Sequence, residues 1–340
     1  MRRETNYSLL CHNTFGVDVC ADCFCEYETV EELGTLLKQW HQAECPQLLS
    51  IGGGSNLLFT RNFEGWVMHS AIKDISVVKS DNDFVWVKVG AGVVWDDFVD
   101  YAIGKGMYGA ENLSFIPGEV GASAVQNIGA YGVEAKDLIE EVEAIAIETG
   151  EQRIFSNEAC EYDYRQSIFK KELKGKYIVT YVTYRMHKEF IPQLGYKALQ
   201  MELNKAGLCE DSLSAHQLRD LVIAIRESKL PNPNMLGNAG SFFMNPVVSR
   251  SVYEQIAKEY ETVPHYEVED GVKIPAGWLI EQCGWKGKSF GKAAVYEKQA
   301  LVLVNTGGAK GGDILALCHR VCNDVKMQFG VTIYPEVNIL

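Results

Sequence analysis

The chain has no apolar run approaching the about 18–20 residues of a membrane-spanning helix. Its first residues, MRRETNYSLLCHN, lack the apolar core of a secretory signal. These absences predict a cytosolic protein with no membrane partner. Positive charge is also scarce: 32 Lys and Arg stand against 45 Asp and Glu, a net charge of −13. An acidic surface of that size argues against a nucleic-acid partner. No GxSxG elbow and no HExxH pair occurs. Gly287-Lys288-Ser289 imitates a phosphate loop, but Gln282 stands where its first glycine belongs. Gly104 to Gly109 spells GxGxxG, yet it follows a helical pattern rather than a strand, so the dinucleotide fingerprint lacks its context. The ten cysteines contain no second CxxC and no His pair to complete a zinc site. Phe15 to Tyr27 alternates like a strand, with Cys23 and Cys25 on the face of Val17 and Val19 and Cys20 on the other. Reduced structural thiols and no metal are the expectation.

What is present is glycine in clusters. Gly109 to Gly132 holds five glycines and four alanines in 24 residues, with only Glu111 and Glu119 charged. Such a stretch has too little side chain for an ordinary core element, whereas glycine lets backbone amides approach a ligand. Ile116-Pro117-Gly118-Glu119-Val120-Gly121 predicts a rigid turn followed by amides suited to phosphate oxygens. Gln126-Asn127 supplies side-chain amides for a planar heterocycle. The alternative is a close-packed connection. A second cluster, Gly52-Gly53-Gly54-Ser55-Asn56, follows the apolar Leu48-Leu49, and two such segments suit a long dinucleotide held at both halves.

With 340 residues, 47% of them hydrophobic, the chain has length for two or three domains. Thr29 to Glu32 is a capping box opening a helix with Leu33, Leu36, Leu37 and Trp40 on one face. A β-α-β opening ends near Ser70. Phe84 to Val89, Val142 to Ile147, Tyr177 to Arg185 and Ala300 to Asn305 read as strands. Helices are expected at Trp95 to Ala102, from the box Ser214 to Gln217 onward, at Val252 to Tyr260 and at Asp313 to Met327. Candidate polar residues punctuate this frame. Arg165 lies among aromatics and suits a carboxylate, or is a surface arginine. Lys229 could meet an anion or merely favour a helix C-terminus. Ser241 could be a turn serine. Glu336, beside Pro335, is either an exposed terminal carboxylate or one folded back.

Together, Asn13 to Gly16, Gly52 to Leu57, Ile116 to Gly132, Tyr164 to Lys170, Gly240 to Pro246, Pro275 to Gly284 and Pro335-Glu336-Val337 resemble the UDP-N-acetylenolpyruvoylglucosamine reductases of peptidoglycan precursor synthesis, in order along nearly the whole chain. The resemblance implies an α+β fold: an FAD-binding domain of the vanillyl-alcohol-oxidase type in two lobes, residues 1–70 and 71–206, and an α+β substrate-binding domain at 214–328. The tail 329–340 would return to the first lobe. It implies non-covalent FAD, NADPH as hydride donor and UDP-N-acetylglucosamine enolpyruvate as substrate. By carry-over Arg165 and Glu336 bind and polarise the substrate carboxyl group, and Ser241 donates the proton. Gly52, Gly53, Gly54, Ser55, Asn56, Ile116, Pro117, Gly118, Gly121, Gln126 and Asn127 would hold the cofactor. Tyr196, Lys229 and Asn245 resemble substrate contacts of the longer-loop subtype. Met244 stands where the family often has lysine, and Asn338 where it often has arginine.

Two other readings fit part of the pattern. A sugar or hydroxy-acid oxidase on the same scaffold would commonly need a flavin-linking histidine, and none lies beside either glycine cluster in sequence. A non-catalytic nucleotide-sugar binder would not need Ser241 and Glu336.

Overall fold

The computed structural model describes residues 1–43 and 47–340; Cys45 lies outside them. The chain forms two compact units. One comprises Met1–Tyr7, Ala21–Gly53 and Glu64–Arg226, and the other Ser8–Cys20, Gly54–Phe63 and Glu227–Leu340. The division differs from three continuous segments, because 8–20 and 54–63 cluster with the C-terminal third.

In the first unit a four-stranded sheet runs in the order Arg2–Ser8, Cys20–Tyr27, Phe63–Ser70, Leu48–Ile51. The strand containing the cysteines begins at Cys20, not Phe15, because Asn13 folds the preceding segment into a knot. Its side-chain Nδ2 donates to Leu9 and Val17 carbonyls at 2.8 and 2.9 Å, and its Oδ1 accepts from Val17 N at 3.0 Å. Cys23, Phe24, Cys25 and Tyr27 are all buried, so both faces of the strand are covered. Thr29 Oγ1 accepts from Glu32 N at 3.2 Å and starts the helix Val30–Gln42, which buries Leu33, Leu36 and Leu37.

A five-stranded antiparallel sheet follows, ordered Gln152–Ser156, Ile139–Ala146, Tyr177–His187, Phe84–Gly90, Ile75–Ser80. The helices Trp95–Gly104 and Val120–Gln126 share its core with Val87, Val89, Val142, Val182 and Tyr184. The glycine-rich stretch is therefore partly core, contrary to expectation. Its small side chains allow the helix Val120–Gln126 to lie close to the sheet: a Cβ on Gly121 would sit 2.8 Å from that of Ala91. Small size here serves backbone approach to backbone. The Ser214–Gln217 box is reciprocal, with Gln217 N to Ser214 Oγ at 3.2 Å and Ser214 N to Gln217 Oε1 at 2.9 Å. It opens the helix Ala215–Lys229, whose Leu218, Leu221, Val222 and Ile225 are buried.

The second unit holds an antiparallel sheet ordered Gly237–Ser241, Val302–Asn305, Ala293–Val295, Ser289–Phe290, and a smaller one of Val247–Val248, Gly271–Lys273 and Tyr266–Val268. The helix Gly311–Phe329 buries Ile314, Cys318, Val321 and Val325 and ends at Gly330 with φ +67°. That left-handed position is one glycine adopts without strain. Tail residues Asn338–Ile339 then pair in parallel with Leu57–Leu58. No helix among the described residues is long and apolar enough to cross a membrane.

In the first unit Arg219 grips Asp96 through two parallel hydrogen bonds of 2.6 and 2.9 Å, and Asp96 Oδ1 also accepts from Phe115 N at 2.5 Å. Burial would raise the Asp96 carboxyl, but these bonds and the arginine charge outweigh it and hold it below its ordinary value. A depressed carboxylate contributes stability above its unfolded pKa, about 3.9, and loses it as pH falls through the folded value. Asp96→Asn should lower the unfolding free energy by about 1–3 kcal/mol at pH 7. The gap from the parent should narrow progressively as pH falls below about 3.9 in denaturant titrations; a gap that stays constant down through the acid unfolding range would show that the pair does not stabilise through its charge.

Candidate functional site

In the first unit, the strand Leu48–Ile51 runs parallel to Phe63–Ser70 and delivers Gly52 and Gly53 to the turn at Gly118. A Cβ on Gly53 would meet only the Gly118 Cα, at 3.6 Å, while one on Gly52 would sit 3.1 Å from Glu119 Oε2. The two glycine segments thus approach backbone to backbone. Not every expected amide is available there. Val120 N and Gly121 N donate to the Val93 and Ala91 carbonyls at 2.9 Å each, so these two amides hold the turn on its sheet. Glycine at 121 is explained by Ala91.

A histidine does lie beside these segments in space, although none does in sequence. Ile51 is in register with His69. Its Nδ1 lies 2.9 Å from Glu26 Oε2 and its Nε2 2.9 Å from Glu119 Oε1. With both ring nitrogens occupied, His69 is no anchor for a covalent flavin.

The helix Val120–Gln126 ends at Asn127, left-handed at φ 46° and fully buried. Its amide is spent within the chain. Nδ2 donates to Glu134 Oε2 at 3.0 Å and the Asp163 carbonyl at 2.9 Å, and Oδ1 accepts from Lys136 N at 3.0 Å. The expectation that the Asn127 side chain reaches a heterocycle is therefore corrected: it fastens the loop that carries Arg165. In that loop, Asp163 and Gln166 exchange backbone hydrogen bonds of 3.2 and 3.0 Å across Tyr164-Arg165. Arg165 takes φ 56°, uncommon for a residue with a Cβ. Its Nη2 donates to the Gly129 carbonyl at 2.5 Å and Nη1 to that of Asn127 at 3.3 Å. A Cβ on Gly129 would come within 2.8 Å of Arg165 Nη1, so glycine there makes room for the guanidinium. Lys170 Nζ closes the loop, donating to Arg165 O at 2.9 Å and Gln126 Oε1 at 2.8 Å.

Beside this loop are Arg226 and Tyr131, which sequence reasoning did not assign, together with the expected Tyr196. Arg226 Nε donates to the Phe115 carbonyl at 3.0 Å. Burial lowers its pKa, which the neighbouring Tyr131 and Asp96 oppose and Arg165 reinforces. Tyr131, at φ 50°, meets Tyr196 edge to face with centroids 5.4 Å apart. Two cations and two phenols thus cluster on the first unit. The only prior signal for Arg226 was its place near a helix end, indistinguishable from a surface residue.

The second unit gathers the other expected residues. Ser241 is exposed at the end of the strand Gly237–Ser241, beyond a bulge after Asn238. Buried Asn238 shapes that approach: Nδ2 donates to Pro231 and Leu236 carbonyls at 3.1 and 2.8 Å, and Oδ1 accepts from Gly240 N at 2.9 Å. The tail folds back beside it. Phe243 bridges Pro335, Glu336 N donates to Phe242 O at 2.8 Å, and Met244 N donates to Tyr334 O at 2.9 Å. The tail backbone is thus folded back and Glu336 is half-buried. Ser241 adjoins the residue whose carbonyl binds the Glu336 amide. Asn56 Nδ2 reaches the Glu336 carbonyl at 3.4 Å, and Asn338 returns two bonds to the Asn56 carbonyl, 3.1 Å from its backbone and 3.2 Å from its side chain. The amide at 338 thus braces Asn56. Asn245 Oδ1 accepts from Ala276 N at 2.9 Å, so its Nδ2 is the atom an anion would meet. Lys229 is exposed at the end of its helix.

Gly54, at φ +66°, cannot carry a Cβ: it would collide with the His12 carbonyl. Thr14 N in turn donates to Gly54 O at 3.3 Å, and Asn238 N to Thr14 O at 2.9 Å. The Asn13 to Gly16 motif is the seat of this segment in the second unit. Cys23 and Cys25 lie 3.7 Å apart, and burial followed by Cys23 pushes Cys25 up to about 12. Cys20 is half-buried. No cluster of three or more metal-ligating side chains occurs among the described residues.

Residues 21–156 match the family model described as an FAD binding domain, and 232–340 match that of the UDP-N-acetylenolpyruvoylglucosamine reductase C-terminal domain. Together they define an FAD-dependent oxidoreductase. Curated reductases of that name are similar over nearly their whole length: 53% identity in Bacteroides fragilis, over 99% of this chain and 100% of that protein, and 48% in Porphyromonas gingivalis, over 98% of each. A crystal structure of the Thermus caldophilus reductase shares the fold, with TM-score 0.68 and 23% identity over 99% of this chain and 98% of that one. The chain belongs to the UDP-N-acetylenolpyruvoylglucosamine reductase family.

The residues present fit FAD. The Gly53–Gly118 approach in the first unit is a cradle without side chain, and Glu119 Oε2 is buried with no hydrogen-bond partner among the described residues. The two neighbouring glycines should therefore respond differently to alanine. Gly53→Ala should leave the thermal stability of the apoprotein nearly unchanged and weaken FAD binding. Gly54→Ala should itself destabilise the apoprotein by at least about 2 kcal/mol, through strain and collision. Calorimetry of both apoproteins with FAD titration checks this; equal stability losses would contradict the assignment.

Proposed function

We propose that Ser241, Glu336 and Arg165 carry the reaction of this family: reduction of UDP-N-acetylenolpyruvoylglucosamine to UDP-N-acetylmuramate. The supporting observation is the hydrogen bond from Glu336 N to Phe242 O, which brings the Glu336 backbone beside the strand ending in Ser241. Bound FAD, reduced by NADPH, supplies a hydride to the olefin. Every other task falls to the chain. Negative charge develops on the carbon next to the substrate carboxyl group and in the carboxyl group itself. Arg165, pinned by main-chain carbonyls, offers the planar donor fork that recognises a carboxylate. Glu336 polarises the same group. Ser241 gives its hydroxyl proton to the enolate carbon, a transfer suited to so weak an acid only because the acceptor is strongly basic. Gly52 to Asn56, Ile116 to Gly118 and Gln126 hold the cofactor, with Gly121 and Asn127 supporting them through packing and hydrogen bonds. Tyr196, Lys229 and Asn245 meet the nucleotide diphosphate.

In functional terms, FAD binding falls to residues 1–70, joined by the tail 329–340, and to 71–206, and substrate recognition to 214–328, although the compact units divide differently. The reaction belongs in the cytoplasm, where NADPH and nucleotide sugars are made. Its product feeds peptidoglycan synthesis, and through it cell shape, the cell cycle and division.

Ser241→Ala should separate the two halves of turnover. NADPH should bleach the flavin at near the parent rate, while reoxidation by the enolpyruvyl UDP-sugar slows by roughly 10²–10⁴-fold. Stopped-flow absorbance reads each half; equal slowing of both would make Ser241 a flavin-positioning residue. Gly129→Ala should retain FAD and its reduction but weaken binding of the enolpyruvyl UDP-sugar by roughly 10-fold, the loss of one charge-assisted hydrogen bond to a displaced Arg165. Unaltered substrate affinity would separate Arg165 from carboxylate recognition.

A further inference from the structure

The carboxylate–imidazole–carboxylate bridge of Glu26, His69 and Glu119 has no part in the chemistry above. Its ring nitrogens each lie 2.9 Å from a carboxylate oxygen, and only a protonated imidazole donates at both. Burial alone would lower the His69 pKa, but the bonds and charges of Glu119, then of Glu26, outweigh burial and raise it. Fixing Oε1 of Glu119 also aims Oε2. That second oxygen is buried with no hydrogen-bond partner among the described residues and lies 3.1 Å from where a Cβ of Gly52 would be. Tyr27, a buried phenol beside Ser70, also feels the Glu119 charge. A carboxylate oxygen stranded beside the Gly52-Gly53 segment needs a donor to replace lost water.

We propose that Glu119 Oε2 accepts a hydrogen bond from a hydroxyl or amino group of the adenylate half of FAD, and that His69 is the positioning residue that holds it there. The inference rests on assigning Gly52, Gly53 and Gly118 to FAD. A carboxylate repels phosphate oxygens, so its target beside that segment is a neutral donor. Glu119 and Gln126 bracket the helix Val120–Gln126, roughly 10 Å apart at about 1.5 Å per residue. Gln126, bonded to Lys170 in the Arg165 loop, marks the end given to the reacting carboxylate. Glu119 marks the other end, away from the chemistry.

His69 is faced by Glu26 and the Phe24 ring from the strand Cys20–Tyr27 and by Glu119 from the turn before Val120. The Met1 amino group acts on Glu26 from outside, and Tyr27 stays neutral because burial pushes its phenol up. The parent apoprotein should therefore bind FAD with constant affinity below about pH 6.5 and progressively weaker affinity as pH rises through the raised imidazole pKa. His69→Gln should abolish that dependence.

The test is titration of the full-length apoprotein with FAD, FMN and ADP, by flavin fluorescence and calorimetry. Glu119→Gln should weaken FAD and ADP alike by roughly 10-fold and leave FMN unchanged. Unchanged FAD and ADP binding, or FMN affinity falling in step with FAD, would overturn the proposal. Glu119→Asp, which retracts the carboxylate while keeping its charge, should show the same adenylate-selective loss and serves if the Gln variant does not fold. Gly53→Ala is the control for the underlying assignment. If it too leaves FAD affinity unchanged, the glycine assignment fails; if it weakens FAD while Glu119→Gln does not, only this inference fails.

Discussion

Backbone pairing between Phe242–Met244 and Tyr334–Glu336 is the constraint that fixes the tail in the second unit. It comprises one bridge and the two hydrogen bonds from Glu336 N and Met244 N. Main-chain contacts hold the backbone of both residues. The serine is exposed at a strand end shaped by a buried asparagine, and the glutamate is carried on a chain terminus that would otherwise fray. Parallel pairing of Asn338–Ile339 with Leu57–Leu58 and the paired bonds from Asn338 to Asn56 continue the fastening into the glycine segment. The Glu336 backbone is spent on both sides, its N–H on the Phe242 carbonyl and its carbonyl on Asn56 Nδ2.

The glycines divide by the same logic. Gly54, Gly121 and Gly129 are glycine because the chain itself occupies the space: the His12 carbonyl, Ala91, and the Arg165 guanidinium. At Gly53 the chain offers only a distant Cα. A small residue required by neighbours supports a site, and one with open space before it can receive a ligand. Composition shows that both segments expose backbone but cannot sort one role from the other.

Local patterns were read well from sequence. The helix around Asp313–Met327, its left-handed Gly330 and the reciprocal Ser214–Gln217 box follow from spacing and capping chemistry within a few residues. Ser241, Glu336 and Arg165 stood out through the family resemblance, since as isolated residues each had an ordinary alternative. What escaped was long-range. The His69 bridge joins Glu26 and Glu119 across separations of 43 and 50 residues. Asn127 reads as a ligand amide until Glu134, Asp163 and Lys136 take its atoms. The start of the cysteine strand at Cys20 depends on the Asn13 knot, which overrides an alternating pattern.

If the tail pairing makes Ser241 and Glu336 one functional unit, their contributions cannot be independent. A double-mutant cycle on flavin reoxidation by the enolpyruvyl UDP-sugar, using enzyme already reduced by NADPH, measures this directly. The account predicts that Ser241→Ala with Glu336→Gln is slower than the slower single variant by no more than about threefold, as for residues acting together. A double variant slowed by the full product of the two single losses would contradict it.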